Sequence, residues 1–214
     1  MERVICLAIG YAFGLFQTGY LYGKMHGIDI RDHGSGNAGT TNALRTLGLK
    51  AGAVTLIGDA FKCVFAVLAI NLIFGELYPE YIRLLSVYAA AGSILGHNYP
   101  FYLNFRGGKG IAATAGMILS FGPIVTAMAI LVFGSVFFIT HYVSLGSILL
   151  YLFLFATVIL LGQNGYWGMD QIYLNEMYVI VLLLAVLAIW KHRSNIVRLI
   201  NGNENKTYLK KKNK

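Results

Sequence analysis

The stretch that decides the fold runs from Ala51 to Phe74 and reads AGAVTLIGDAFKCVFAVLAINLIF. Only Asp59 and Lys62 are charged within it, and about 20 apolar residues in an α-helix suffice to cross the hydrocarbon core of a bilayer. The stretch therefore predicts a membrane-spanning helix. Because charges at membrane depth are costly, Asp59 and Lys62, on one helix face, are expected inside a bundle, as a structural ion pair or as functional groups.

The composition extends this interpretation to the whole chain. Of 214 residues, 57% are hydrophobic and 12% are charged, whereas soluble domains average about 25% charged residues. Further runs long enough, or nearly long enough, to cross a bilayer are Val4–Leu21, Tyr81–Gly96, Ile124–Thr140, Val143–Leu161 and Tyr173–Trp190. We interpret Val4–Leu21 as a retained first helix, because it lacks the basic start and the cleavage site of a signal peptide.

A shorter apolar run, Ile111–Phe121, cannot cross unaided at about 1.5 Å per residue, and it predicts a half-helix buried among its neighbours. The fold class is therefore an all-α membrane protein. We expect a polytopic bundle of seven transmembrane helices, one of them short or half-spanning, with cytoplasmic active-site loops. The membrane domain is predicted over residues 1–200, with no second domain.

The basic residues indicate the orientation. Counted over seven crossings, fourteen Lys and Arg residues fall on one side of the membrane, against Arg3 and Arg83 on the other. The positive-inside rule then predicts an external N-terminus, a cytoplasmic C-terminus and two cytoplasmic glycine-rich loops. Residues 201–214 are predicted to form a basic cytoplasmic tail that is solvated or touches anionic headgroups. The net charge of +8 thus reflects topology, and no nucleic-acid partner is expected.

The first glycine-rich loop, Gly27–Arg45, reads GIDIRDHGSGNAGTTNALR. Its candidate binding residues are Gly34, Ser35, Gly36, Asn37, Gly39, Thr41 and Arg45. Glycines let backbone N–H groups converge on an anion, hydroxyls and amides add donors, and an arginine supplies a fork for phosphate. A polar turn at the membrane edge is the structural alternative. The Gly34-x-Gly36-x-x-Gly39 spacing also matches a dinucleotide fingerprint, but no strand precedes it, so we reject NAD binding.

The second loop, His97–Gly110, reads HNYPFYLNFRGGKG and leads directly into the short apolar run. Its candidate binding residues are His97, Arg106, Gly107, Gly108, Lys109 and Gly110. Free N–H groups and the dipole at a helix N-terminus favour an anion, and the two cations add charge. A nucleotide P-loop is excluded, because Gly110 follows Lys109 where Ser or Thr is required.

A third cluster, KHRSN, begins at Lys191. His192 and Asn195 are three residues apart and so share a helix face, from which both could reach a pocket at headgroup level. Basic residues here are also ordinary topology determinants. Cys6 and Cys63 lie in apolar runs, and no HExxH or GxSxG motif occurs in the sequence, so we predict no metal, no cofactor and no serine-hydrolase mechanism.

Together the three clusters resemble the acyl-phosphate:glycerol-3-phosphate acyltransferases of bacterial plasma membranes, the PlsY family. The segments that carry the resemblance are Gly27–Gly52, Gly58–Lys62, Leu95–Thr114 and His192–Lys206. It implies seven transmembrane helices and transfer of a fatty acyl group from acyl phosphate to glycerol 3-phosphate, giving lysophosphatidate and phosphate, the first acylation of phospholipid synthesis. The residues implied to hold the two phosphorylated substrates and to act in catalysis are Ser35, Arg45, Lys109, His192 and Asn195. Matching positions of less defined role are Asn37, Thr41, His97, Gly107, Gly108 and Glu204.

The chain departs from the family pattern at two places. Leu15-Phe16-Gln17-Thr18 stands where the family commonly has Ser-Ile-Pro-Phe, and Cys63 stands where it has glycine. These changes bear on acyl-chain fit or helix shape and leave the phosphate-binding loops intact.

The expected mechanism is direct attack of the acceptor hydroxyl on the acyl carbonyl, because phosphate is a good leaving group and no activated nucleophile is evident. Three groups could accept the hydroxyl proton, namely His192, His97 and the substrate's own phosphate, and we favour the phosphate. A His-x4-Asp mechanism is excluded, since Asp follows none of the five histidines at that spacing. The alternatives are a transporter of phosphorylated anions and a non-catalytic lipid-binding relative; the one-sided polar groups argue against transport.

Overall fold

The computed structural model describes residues 1–208, which are helical apart from turns and loops. In chain order the α-helices of this range are α1 (Glu2–Gly14), α2 (Thr18–Met25), α3 (Thr40–Leu47), α4 (Leu49–Phe74), α5 (Ile82–Asn98), α6 (Ile111–Phe121), α7 (Pro123–Thr140), α8 (Val143–Gln163), α9 (Gln171–Lys191) and α10 (Arg193–Ile200). Single 3-10 turns, Ile30–Asp32 and Phe101–Leu103, lie in the two glycine-rich loops.

Five segments of the described range are long and apolar enough to cross a membrane. They are Glu2–Met25, Leu49–Phe74, Pro123–Thr140, Val143–Gln163 and Gln171–Lys191. Many large apolar side chains on their outer faces are exposed, Leu72 and Ile139 among them, as expected for surfaces in contact with lipid. The chain is therefore a multi-pass helical membrane protein.

The short apolar run forms α6 with the bounds predicted from the sequence. Gly110, at φ +85°, caps its N-terminus, and Gly122, at φ +115°, ends it before Pro123 begins α7. Most of α6 is buried, and Gly116 lies so close to α4 that a Cβ would overlap the backbone of Ala60. The expectation of a short helix buried among its neighbours is confirmed.

The first predicted span, Val4–Leu21, lies within the membrane-spanning segment Glu2–Met25, but it is not the single continuous helix that we expected. α1 ends at Gly14 and α2 begins at Thr18. The buried Gln17 explains the break, because its side-chain amide donates to the carbonyl oxygens of Gly14 at 3.1 Å and His97 at 3.2 Å. The bond to Gly14 satisfies a carbonyl that the interrupted helical ladder leaves free, and the bond to His97 ties the break to α5.

Small residues bring α1 and α5 together. A Cβ at Gly10 would overlap the backbone of Ala89, and one at Gly92 would overlap that of Leu7. Close approach through small residues is how membrane helices commonly associate. α5 extends to Asn98, so His97, which the sequence analysis assigned to a loop, lies in the last turn of a buried helix.

The end of the described chain folds back onto the bundle. Glu204 and Thr207 are both buried, and the Thr207 N–H donates to the His141 carbonyl at 2.9 Å. The expectation of a solvated tail from residue 201 therefore fails at these two positions, because each finds polar partners within the fold. Residues 209–214, which complete the predicted tail, lie outside the described part of the chain.

Candidate active site

A cavity of about 610 Å³ gathers residues from the three clusters. The predicted site residues that line it are Gly34, Ser35, Gly36, Asn37, Gly39, Thr41, Arg45, His97, Lys109, Gly110, His192, Asn195 and Glu204. Thus segments far apart in sequence meet at one end of the bundle. The structure does not bring Arg106, Gly107 or Gly108 to this lining.

The first glycine-rich loop is shaped by Asn42, a residue absent from the predicted set. Its amide donates to the carbonyl oxygens of Ile30, His33 and Asn37 at 2.9 to 3.0 Å, and its Oδ1 accepts the Ser35 N–H at 2.8 Å. One buried side chain therefore holds the loop that presents Ser35 at the mouth of the cavity. The sequence signal was present, since Asn in a glycine-rich turn often bonds nearby backbone.

Two glycines of this loop have backbone conformations that other residues adopt with strain. Gly34 has φ +58° and Gly36 has φ +69°, both in the left-handed region. Gly39, in contrast, is extended and caps α3. Asn37 completes the turn by accepting the Gly39 N–H at 3.0 Å, and it reaches the second loop through the Gly107 carbonyl at 3.4 Å.

The flanking arginines of the loop have different partners. Arg31 is engaged by Asp29, at 2.8 Å and 3.0 Å, and by the Leu103 carbonyl at 3.2 Å, so it ties the two loops together. Arg45 lines the cavity, and its guanidinium donates to Thr207 Oγ1 at 2.7 Å. Since a guanidinium carries five N–H donors, Arg45 keeps donors for an anion in the cavity.

Lys109 stands beside the N-terminus of α6, where its ammonium donates to Asn195 Oδ1. Partial burial lowers the pKa of Lys109 from its ordinary 10.5 to about 8, and the nearby Arg198 acts in the same direction. The side chain is therefore mostly cationic at neutral pH. With Arg45 and Arg198 it makes this part of the cavity wall positive.

Asn195 belongs to a buried network centred on Glu204. Glu204 Oε1 accepts from Asn195 at 2.7 Å and from Ser144 at 3.0 Å, while Oε2 accepts from Arg198 at 2.7 Å. Burial raises the pKa of the Glu204 carboxyl, but these hydrogen bonds together hold it below its ordinary value. Glu204 is thus an anion that orients Asn195 from behind.

His192 lies at the junction of α9 and α10 and is buried. Its Nδ1 is 2.8 Å from the Ala188 carbonyl oxygen, which can only accept, so Nδ1 carries a proton. Burial lowers the pKa of His192 to about 4. The ring is therefore neutral at pH 7, with a lone pair on Nε2.

The predicted residues outside the lining have distinct places. Arg106 is exposed. Gly107 and Gly108 pack closely against His97. A Cβ at Gly107 would overlap the His97 carbonyl oxygen, and a Cβ at Gly108 would overlap its imidazole. Below them, Lys62 and Asp59 form the ion pair considered from the sequence, at 2.9 Å, and Lys62 also contacts His97.

The cavity includes residues that the sequence analysis left out of its site. Besides Asn42 they include the polar residues Thr40, Asp59, Ser144, Ser147, Ser194, Arg198 and Thr207. Arg198 carried a signal, since it lies one helical turn beyond Asn195. Ser144 and Ser147 carried none, because they lie within an apolar run.

Apart from Asn205, the remaining wall is apolar, and its residues are Leu44, Leu56, Ile111, Ala112, Phe133, Phe137 and Val143. A cationic, donor-rich pocket next to such a wall suits a ligand with a phosphate group and a hydrocarbon chain. Among the described residues, no group of three His, Cys, Asp or Glu side chains is placed to hold a metal ion.

Comparison with known proteins shows the family to which this chain belongs. A family model described as glycerol-3-phosphate acyltransferase matches residues 4–202. The glycerol-3-phosphate acyltransferase of Clostridioides difficile is 40% identical over 210 residues, which is 97% of each chain. That of Halalkalibacterium halodurans is 39% identical over 214 residues, 99% of this chain and 98% of the relative.

Solved structures agree with these sequence matches. The crystal structure of PlsY, an integral membrane glycerol 3-phosphate acyltransferase, in its glycerol 3-phosphate form has a TM-score of 0.83 and 29% identity, over 97% of this chain and 96% of that one. Its lysophosphatidic acid form has a TM-score of 0.80 and 28% identity, over 98% and 97% of the two chains.

Proposed function

Because the chain belongs to the glycerol-3-phosphate acyltransferase family and is an enzyme that acylates glycerol 3-phosphate, we propose that its cavity brings this acceptor together with a fatty acyl phosphate. The products are lysophosphatidate and inorganic phosphate, and the reaction is the first acylation of bacterial phospholipid synthesis. The observation that carries the proposal is one cavity in which cationic and hydroxyl groups from three sequence clusters adjoin an apolar wall.

The polar side of the cavity suits two phosphate groups. Arg45 and Lys109 supply charge, and Ser35 with the backbone of the first loop supplies neutral donors. We assign these residues, with His192 and Asn195, to substrate binding and catalysis. A fixed set of donors in a site shielded from water stabilises phosphate charge better than solvent does, because the donors need no reorganisation.

The apolar side suits the hydrocarbon chain of the donor. Leu56 on α4 and Phe133 and Phe137 on α7 belong to both the cavity and a membrane-spanning segment. A chain that follows this wall leaves the cavity between helices and enters the lipid, so membrane lipid is the third partner. This explains why an enzyme with a small polar acceptor is built into a bilayer.

The proposed chemistry is a single acyl transfer. The acceptor hydroxyl oxygen attacks the acyl carbonyl carbon, an ester C–O bond forms, and the C–O bond to phosphate breaks. Phosphate leaves with the electron pair of that bond. Lys109 and Arg45 offset its charge, and the site contributes chiefly through positioning and electrostatics.

The hydroxyl proton has three candidate acceptors, namely an oxygen of the departing phosphate, His192 and His97. We place it on an oxygen of the departing phosphate, which is adjacent and gains negative charge. The second acceptor is the lone pair of His192 Nε2. His192→Gln separates the routes: a fall of roughly 100-fold or more in kcat with unchanged KM values assigns the proton to His192, and a smaller fall assigns it to phosphate.

The topology we propose has seven crossings, with α6 as the short one, an external N-terminus and a cytoplasmic C-terminus in the bacterial plasma membrane. The strong bias of Lys and Arg residues towards the side of the glycine-rich loops supports it, because cytoplasmic loops carry such an excess. The catalytic unit, predicted as residues 1–200, then includes Glu204 and Thr207 as well. Membership of the acyltransferase family disfavours the alternative of a transporter for phosphorylated anions.

The test is a reconstituted assay. Purified protein in lipid receives glycerol 3-phosphate with either palmitoyl phosphate or palmitoyl-CoA, and lysophosphatidate is measured. We expect product from the acyl phosphate and at most a trace from the thioester, since only the former places a second phosphate beside the reacting carbonyl. No product from acyl phosphate with a helical, monodisperse protein, or equal use of both donors, would overturn the proposal.

A further inference from the structure

A buried polar cluster lies at the base of the cavity and is centred on Lys62. Its ammonium nitrogen is 2.6 Å from the Phe16 carbonyl oxygen, 2.9 Å from Asp59 Oδ1 and 2.8 Å from His97 Nδ1. Lys62 is 4% exposed, His97 2% and Asp59 0%. The Phe16 carbonyl, Asp59 and His97 are therefore each hydrogen-bonded to Lys62 with little competition from solvent.

The number of donors on Lys62 fixes the proton on His97. An ammonium group has three N–H donors and no lone pair, and here three neighbours are within hydrogen-bond distance. The carbonyl oxygen and the carboxylate can only accept. The Asp59 carboxylate also balances the positive charge of the Lys62 ammonium. His97 Nδ1 must then accept the third N–H, so a neutral ring carries its own proton on Nε2.

Several features hold the His97 ring in place. The break between α1 and α2 frees the Phe16 carbonyl for Lys62, and the Gln17 amide donates to the His97 carbonyl at 3.2 Å. Gly108 lies against the imidazole near Nε2, where a Cβ would overlap it. Among the described residues His97 Nε2 has no hydrogen-bond partner, although His97 lines the cavity.

His192 has the opposite arrangement. Its Nδ1 donates to the Ala188 carbonyl, so its Nε2 is an acceptor. One cavity therefore contains two histidines with complementary Nε2 atoms. One can donate a hydrogen bond to a substrate, and the other can only accept one.

We propose that Lys62 is a positioning residue that fixes His97 as a hydrogen-bond donor, with His97 Nε2–H directed at an oxygen of the acyl phosphate group. His97 then stabilises charge that develops as the anhydride bond breaks, and it does not take the acceptor's proton. The inference rests on the proposed function and deepens it, because it removes one of the three groups considered as proton acceptors.

The direct test reads the tautomer by NMR. Protein labelled with 15N-histidine is prepared in lipid without substrate, and the His97 signals are assigned by their loss in His97→Gln. We expect Nε2 to be protonated and Nδ1 to be unprotonated, with an Nδ1 chemical shift that indicates an accepted hydrogen bond. In Lys62→Met the Nδ1 chemical shift should move to that of an unprotonated imidazole nitrogen that accepts no hydrogen bond. A wild-type His97 protonated on Nδ1, or an Nδ1 resonance unchanged in Lys62→Met, would overturn the assignment.

Thr18→Val is the matched control. Thr18 donates to the same Asp59 oxygen at 3.1 Å but does not contact His97. The variant thus perturbs the buried cluster while leaving the Lys62–His97 contact in place. We expect wild-type His97 resonances and turnover within about threefold of wild type, since the change removes a single hydrogen bond.

Kinetics test the role of the donor without relying on the folding of Lys62→Met. Gln at position 97 can donate from nearly the same place but cannot take a proton, and Met can do neither. We expect kcat to fall within about tenfold in His97→Gln and by about 100-fold in His97→Met, as for loss of a donor to developing charge. Equal losses in the two variants, with equal thermal stability, would contradict a donor role. Failure of the wild type to use acyl phosphate would instead overturn the function and leave the tautomer measurement standing.

Discussion

The two glycine-rich loops have similar compositions but use their glycines for different physical reasons. In the first loop Gly34 and Gly36 have left-handed backbone angles and line the cavity. In the second loop Gly107 and Gly108 are outside the lining and lie against His97, where any side chain would collide. Gly36 is thus needed for its backbone conformation, whereas Gly107 and Gly108 are needed for close packing.

This difference predicts which part of each loop meets a ligand. The first loop forms much of its side of the cavity, with Asn42 fixing its shape from behind. The second contributes chiefly Lys109 and Gly110, next to the N-terminus of α6. Substitutions should therefore have effects that depend on where each residue lies and not on its motif.

The largest effect is expected at the one cation that the second loop places in the cavity. Lys109→Met should lower kcat/KM by about 10²–10³-fold, because it removes a donor to phosphate charge in a shielded site. Lys50→Met is the matched control, since Lys50 is exposed outside the cavity, and it should retain activity. Steady-state assays in lipid measure both, and similar losses in the two would refute the assignment.

The next effect is a loss of activity at alkaline pH. Burial lowers the pKa of Lys109 to about 8, so the cationic form, which we propose binds phosphate, is present below that pH and is lost above it. We expect kcat/KM to fall by about tenfold per pH unit above about pH 8. Lys109→Arg should abolish this fall in whatever activity it retains, because guanidinium stays charged. A wild-type kcat/KM that stays constant up to pH 9.5 would contradict this role of Lys109.

A pair of glycine substitutions tests the comparison itself. Gly108→Ala should displace the His97 ring and lower kcat by about 10–100-fold, since misplacement of about 1 Å can cost that much. A Cβ at Gly36 would make one tight contact, with the Arg31 carbonyl oxygen at 3.3 Å, but no overlap like that at Gly108. Gly36→Ala should cost only about 1–2 kcal/mol of backbone strain. Kinetics and thermal unfolding of both variants measure the two losses. A larger fall in kcat for Gly36→Ala than for Gly108→Ala would contradict the different roles assigned to these glycines.

The smallest effect is expected at Arg106. Its side chain is exposed and outside the cavity lining. Arg106→Gln should change kcat and the KM for glycerol 3-phosphate by less than about threefold, as for most exposed substitutions. A loss comparable to that of Lys109→Met would place the phosphate outside the cavity described here.

Hydrophobic length predicted most of the fold. The bounds of α6 followed from an apolar run between Gly110 and the Gly122-Pro123 pair, which are strong end signals for helices. The break in the first span was missed, because Leu15-Phe16-Gln17 contains no Pro or Gly to announce it. Besides the Gly14 carbonyl, the Gln17 amide bonds carbonyl groups of α5, which are tertiary partners that the local sequence does not reveal.

Chemical composition predicted the candidate site only in part. Lys109, Arg45 and the His192 cluster stood out because cations and donors are rare in such a chain. His97 was assigned to a loop, since HNYP resembles a turn, and its burial depends on Lys62 and Gly108. The place of Glu204 followed from family resemblance alone, because its partners Ser144 and Asn195 come from separate segments.

The most direct test of the account is a structure of the protein in lipid with a non-hydrolysable acyl phosphonate. We predict that the phosphonate lies within hydrogen-bond distance of the Lys109 ammonium and the first glycine-rich loop, with its chain along Phe133 and Phe137. A phosphonate bound at Arg106 or elsewhere outside the cavity, with the cavity residues unchanged, would contradict the central claim.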